Sequence, residues 1–127
     1  MAKHIFISHA WNKDSNYQNL TDLFDKKKYF TWEDHSVPKG NKIHTEVENE
    51  ILGRIHISDC FVVIASMDAV YSDWIKKEII WAQVLDKPIL GIKPWGAEKV
   101  PLVVQEAAIE VLNWNTESIV EAIRKYS

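Results

Sequence analysis

One carboxylate interrupts an otherwise apolar helical stripe near the middle of the chain. Trp74, Ile75, Ile79, Ala82 and Leu85 recur at helical spacing, and Glu78 falls one turn after Trp74 on the same face. An acid set beside an indole and a row of aliphatic groups is out of place as a surface residue. Just before it, Cys60 to Ala65 is an uninterrupted apolar run, rich in β-branched side chains and without polar alternation, which predicts a strand covered on both faces. Ser66 to Ser72 breaks the two apart. A helix that begins past the carboxyl end of a central strand borders the crevice where open α/β sheets bind ligands, so Glu78 is the candidate site residue.

The rest of the chain supplies the elements that must position it. His4 to Ser8 predicts the first, central strand, ending in a polar-aromatic loop of Ser8, His9, Ala10 and Trp11. Asp14 or Ser15 can cap a helix whose inward positions are Tyr17, Leu20, Leu23 and Phe24. Tyr29 to Glu33 predicts a second strand, and Asp34 to Gly40 reads as a long loop in which Pro38 fixes a turn and Gly40 frees φ. Ile43, Val47, Ile51 and Ile55 make the single apolar stripe of a surface helix. Ile89 to Ile92 predicts a fourth strand, Pro101 to Glu106 a brief helix, and Ile109 to Leu112 a fifth strand. Thr116 can then cap a last helix with Ile119, Val120 and Ile123 inward.

Strands alternating with helices imply right-handed crossovers and a parallel sheet covered on both faces, in the flavodoxin-like order 2-1-3-4-5. At 127 residues and 46% hydrophobic, one domain over residues 1–127 is expected. The candidate loops, Ser8 to Trp11, Trp32 to Gly40, Ser66 to Glu78 and Lys93 to Gly96, all fall at the carboxyl ends of the strands in that order. Among them Trp11 and Trp32 can stack a planar ring.

Several chemistries do not fit. A net charge of −3 gives no basic surface for nucleic acid, and the run Lys26 to Lys28 is expected to be a solvated helix end. The first loop has no glycine and a bulky Trp11, against FMN bound in the flavodoxin manner. A phospho-receiver's acids and lysine are replaced by Ser8 and His9, Ala65 and Ser66, and Leu112 and Asn113. The five histidines show no short ligand spacing, so no metal is expected, although His9 and His35 would share the crevice rim. A single cysteine, and no apolar run suited to a membrane, point to a cytoplasmic protein.

FIS at the end of the first strand, WEDHSVPKG after the second, FVVIAS on the third and SDWIKKE opening the next helix resemble, in order and place, the motifs of a TIR domain. The chain resembles that family over nearly its whole length, and most of all the bacterial TIR-like proteins of the Thoeris anti-phage system. The resemblance implies that Glu78 is the catalytic glutamate, with Ser72 and Trp74 opening its motif and Pro38 and Gly40 in the loop after the second strand. Ser8, His9, Trp11, Trp32 and Asp34 are the further candidates for substrate contact. It implies cleavage of the nicotinamide–ribose bond of NAD, with NAD as substrate and no permanently bound cofactor. It implies an ADP-ribose-derived signal, cyclic or conjugated, that acts on a separate effector, and head-to-tail self-association on activation.

The residues suit that chemistry. Breaking an N-glycosidic bond passes through an oxocarbenium-like ribose, which a nearby carboxylate stabilises. Partial desolvation is expected to push the pKa of such an acid upward. The first loop departs from the family, with His9, Ala10 and Trp11 where many TIR domains carry aspartate or lysines. The alternative class is a non-catalytic module that binds a partner or nucleotide through the same edge.

Overall fold

Cys60–Ile64, buried at all five residues, forms the middle strand of the sheet. A computed structural model describes residues 2–9, 15–37, 44–67, 72–97 and 99–127. Within them five strands, β1 (Lys3–Ser8), β2 (Trp32–Asp34), β3 (Cys60–Ile64), β4 (Ile89–Ile92) and β5 (Glu110–Leu112), alternate with five helices. These are α1 (Asn16–Lys26), α2 (His44–Ile57), α3 (Asp73–Val84), α4 (Leu102–Ala107) and α5 (Thr116–Tyr126). All strand pairs are parallel and their order is β2-β1-β3-β4-β5, a flavodoxin-like α/β sheet.

The alternation of side chains along each strand divides the core in two. Ile5 and Ile7 of β1, Cys60, Val62 and Ile64 of β3, and Leu90 and Ile92 of β4 face α1 and α5, where they meet Leu20, Phe24, Ile119, Val120 and Ile123. Phe6, Phe61, Val63 and Ile89 face the other way, against Val47, Ile51 and Ile55 of α2, Ile75, Ile79 and Ala82 of α3, and Val104 of α4. Phe6 and Phe61 are paired in register across β1 and β3, and their rings stack 5.4 Å apart at 7°. Gly91 belongs to this second face because α4 passes directly over it. A Cβ there would lie 2.7 Å from Val104 Cγ1.

The termini of the elements differ from the expectations in small ways. β2 begins at Trp32, not Tyr29, because Tyr29 sits in the turn after α1 with φ +62° and is 97% exposed, while Phe30 packs on Phe24. Asn115, not Thr116, caps α5, its side-chain oxygen accepting from the Ser118 N–H at 3.0 Å. Ser15 precedes α1 without a side-chain cap bond. The Pro38 and Gly40 turn, Ile43 and the loop from Ala10 to Asp14 lie outside the described residues.

Candidate functional site

Ser8 is the last residue of β1 and shares the parity of Phe6, so its side chain points to the α2/α3 side of the sheet. Glu78 lies in the second turn of α3, on the same inward stripe as Ile75, Ile79 and Ala82, and is 0% exposed. The two meet: the Ser8 hydroxyl donates to Glu78 Oε1 at 2.8 Å. The result is a carboxylate buried among aliphatic groups at the carboxyl end of a central strand. Lys77, its neighbour, reaches across to Glu48 of α2 at 2.8 Å. Ser72 caps α3 by accepting from the Ile75 N–H at 3.2 Å, which fixes the start of the helix and hence the angle at which Glu78 enters. At the end of neighbouring β3, the buried Ser66 Oγ has no hydrogen-bond partner among the described residues.

Other sequence candidates fall elsewhere. His9 is 3% exposed and turns to the α1 side, its ring stacked on Tyr17 at 4.1 Å and 8°. Trp32 is at the opposite end of the sheet from Ser8: it pairs with Lys3, five residues earlier on β1, a span of about 16 Å at strand rise. Its indole N–H donates to Asp25 Oδ1 at 2.8 Å and its ring meets Phe24 edge-on, so it packs α1 onto β2 and is not placed to stack a ring beside Glu78. Trp74 is half-buried on α3 with Lys77 over its ring. It lines an outer groove of about 590 Å³ together with Ser72, Asp73, Lys76 and Ile80. Trp11, Pro38 and Gly40 lie outside the described residues.

Asp34 serves the loop that follows it. Its carboxylate accepts from the Tyr17 hydroxyl, from the Ser36 N–H at 2.9 Å and from the Ser36 hydroxyl, while Ser36 Oγ accepts from the Ile7 N–H at 3.1 Å. Burial first, then the bond to Asp34, raises the Tyr17 pKa well above its ordinary value, so this phenol stays a donor. Ser36 was not singled out in the sequence; a Ser two residues after an Asp is the signal of such an Asx-type turn.

A second polar cluster lies on the same face as Glu78, nearer the amino end of β1. His4 pairs in register with Glu33, and its Nδ1 stands 3.0 Å from Glu33 Oε2 and 2.8 Å from His35 Nε2. Arg54 of α2 brings Nη1 to 3.3 Å from His35 Nδ1. Burial, then the nearby His4 and Arg54, holds His35 below its ordinary value of 6.5. His9 and His35 therefore do not share a site, since they project from opposite faces.

The architecture and the site together define a flavodoxin-like α/β domain with an acid enclosed at the carboxyl edge of its sheet. The family model described as Thoeris protein ThsB, TIR-like domain, matches residues 6–99, and the chain belongs to that family. Membership ties it to the Thoeris defence system. No curated protein matches the chain in sequence. Among solved structures, a conserved protein from Enterococcus faecalis V583 is similar at TM-score 0.70 and 9% identity, over 98% of this chain and 99% of that one. The Clostridium botulinum CMP N-glycosidase BcmB is similar at 0.64 and 15%, over 98% and 100%. A 2-deoxyribosyltransferase from Bacillus psychrosaccharolyticus is similar at 0.60 and 16%, over 91% and 89%. At these identities the likeness shows the shared fold. No helix among the described residues is long and apolar enough to cross a membrane.

Proposed function

We propose that the chain cleaves the N-glycosidic bond of a nucleotide, with NAD as substrate and Glu78 as the catalytic acid group. The observation that carries this reading is the enclosure of Glu78 at the carboxyl edge, with its Oε1 held by the Ser8 hydroxyl. Support comes from the family and from two structures of the same fold whose names describe glycosidic chemistry on nucleosides or nucleotides. In the proposed step the bond from ribose C1′ to the nicotinamide nitrogen breaks, and its electron pair neutralises the pyridinium. The ribose is left oxocarbenium-like, and the Glu78 charge stabilises it more strongly than water would because the site is dry. A nucleophile then bonds to C1′ and loses its proton. Water yields ADP-ribose, and a group on the nucleotide itself or on a second molecule yields the cyclic or conjugated product that would act on a separate effector. Ser8 orients the carboxylate, and the buried Ser66 hydroxyl at the next strand end is a group that a bound ribose would satisfy.

Because Glu78 is fully buried, substrate reaches it only after the carboxyl edge rearranges. We assign that step to head-to-tail self-association, which makes the lone chain a latent enzyme. The same burial favours a second reading, in which Glu78 is structural and the module binds without catalysis.

One experiment separates the two. NAD is incubated with the chain over a range of protein concentrations, with and without infected-cell lysate, and nicotinamide release and products are followed by chromatography and mass spectrometry. Release should rise more steeply than the first power of protein concentration, and Glu78→Gln should lower it by about 100-fold or more with the fold intact by circular dichroism. No release under any condition, or a Glu78→Gln variant as fast as the parent, would end the enzymatic reading. CMP and a deoxynucleoside run in parallel would correct the substrate while leaving the site in place.

A further inference from the structure

The second polar cluster cannot be satisfied by its own protons. A guanidinium only donates, so Arg54 Nη1 facing His35 Nδ1 makes that nitrogen an acceptor and leaves the ring proton on Nε2. Nε2–H then donates to His4 Nδ1 at 2.8 Å, which must present a lone pair. That lone pair also faces the Glu33 carboxylate at 3.0 Å, an acceptor against an acceptor. Reversing the roles sets His4 Nδ1–H between Glu33 and the His35 Nε2 lone pair, but then turns His35 Nδ1–H toward the Arg54 donor. With neutral rings and an ionised Glu33, each arrangement leaves one contact unfavourable, and a positive charge at the point where the three atoms converge would relieve it.

We propose that His4 Nδ1, Glu33 Oε2 and His35 Nε2 bind a first-row divalent metal ion, zinc by preference. Each of the three residues offers one ligand atom within 4.8 Å of those of the other two. Two imidazoles and one carboxylate, with a fourth position left for water, are a common zinc donor set. Bonds of about 2.0–2.1 Å in a tetrahedron place ligand atoms roughly 3.3 Å apart, so on binding the 2.8 and 3.0 Å edges open by about 0.5 and 0.3 Å, and the third edge, from Glu33 to His35, adjusts from its present separation of within 4.8 Å. The ion has a way in, because the His4 and Glu33 side chains are 37% and 59% exposed. It would join β1 to the short edge strand β2 and to His35, next to the Ser36 turn.

The arrangement also says what opposes binding. Once Nε2 of His35 holds the ion, the ring proton must sit on Nδ1, where Arg54 presents another donor. A ligating histidine normally gives that proton to an acceptor. Arg54 must therefore swing away, and an acceptor in its place should tighten the site.

The test is titration of chelator-treated protein with zinc sulfate, followed by calorimetry and by thermal melting. The expected result is one ion bound per chain with a rise in Tm. Glu33→Gln, at an exposed position that leaves the fold alone, should weaken binding by about tenfold or more, and Arg54→Gln should tighten it severalfold. Long-range ¹H–¹⁵N spectra of the parent should show Nδ1 of His4 and Nε2 of His35 as the nitrogens that shift. Absence of binding, binding that Glu33→Gln leaves unchanged, shifts confined to other histidines, or weaker binding by Arg54→Gln would each overturn the proposal.

Discussion

The two faces of the sheet share strands, yet they are built for different ends. On the α1/α5 face, β1, β3 and β4 contribute only aliphatic side chains and Cys60 to the core, and aromatic rings from Phe24, Phe30 and Trp32 close it toward the edge. On the α2/α3 face the same strand β1 carries His4, Phe6 and Ser8 in alternation. An apolar centre there is flanked by the His4, Glu33 and His35 cluster toward one end and the Ser8–Glu78 pair at the other. Both faces supply hydrophobic stabilisation, but on the second the strand β1 also holds polar groups out of water at its ends, a cost that function has to justify. If that division is real, substitutions on the two faces should separate stability from activity.

The largest structural effect is expected at Ile7, fully buried on the apolar face. Ile7→Ala should lower the unfolding free energy by about 2–5 kcal/mol, measured by denaturant titration, while the folded fraction keeps its nicotinamide release per molecule. Ser8→Ala, one residue along and on the other face, should reverse that pattern. Loss of the hydroxyl donor to a buried carboxylate should cost about 1–3 kcal/mol, with a disproportionate fall in release. Equal losses of activity per folded molecule in the two variants would dissolve the distinction between the faces.

Much of this was readable from residue types. The short apolar run in HIFIS, the all-apolar CFVVI and the recurrence of Val47, Ile51 and Ile55 every four residues along α2 encode strand, central strand and surface helix without tertiary information, and parallel order follows from the alternation of elements. The inward aim of Glu78 also followed, because helical spacing ties it to Ile75 and Ile79. What did not follow was anything set by pairing across the sheet. Trp32 looked like a loop indole because nothing local shows that Tyr29 takes a left-handed turn and delays β2 by three residues. His4 and His35 are 31 residues apart, and only the register of β1 with β2 places them and Glu33 together. Ser8 was legible as a loop hydroxyl, but its contact with an acid 70 positions away was not.

A smaller effect is expected at Gly91, where the sheet lies directly under α4. Gly91→Ala puts a Cβ 2.7 Å from Val104 Cγ1 and 3.3 Å from Val111 Cγ2, both branched and held close to the backbone, so the helix must lift. A loss of about 1–3 kcal/mol is expected, with activity per folded molecule kept, since α4 lies over β4 and away from Ser8. A gain in stability would mean that α4 is loosely seated and that the functional face is less tightly packed than its partner.

The smallest effect should come from Cys60, and it tests the quiet face most directly. This thiol is fully buried at the start of β3, and burial, with Asp59 beside it, pushes its pKa up to about 12. At pH 8 the reactive thiolate is then roughly one part in 10⁴, and the reagent has no path to it. Native protein should therefore take up no thiol reagent over hours at pH 8, and denatured protein should take up one equivalent at once. Labelling under native conditions would have to proceed through local opening, because neither the thiolate fraction nor access permits it otherwise. Its rate would then measure how often α1 or α5 leaves the sheet. A rate comparable with nicotinamide release would transfer the moving part of the molecule from the face that holds Glu78 to the face that was read as scaffold.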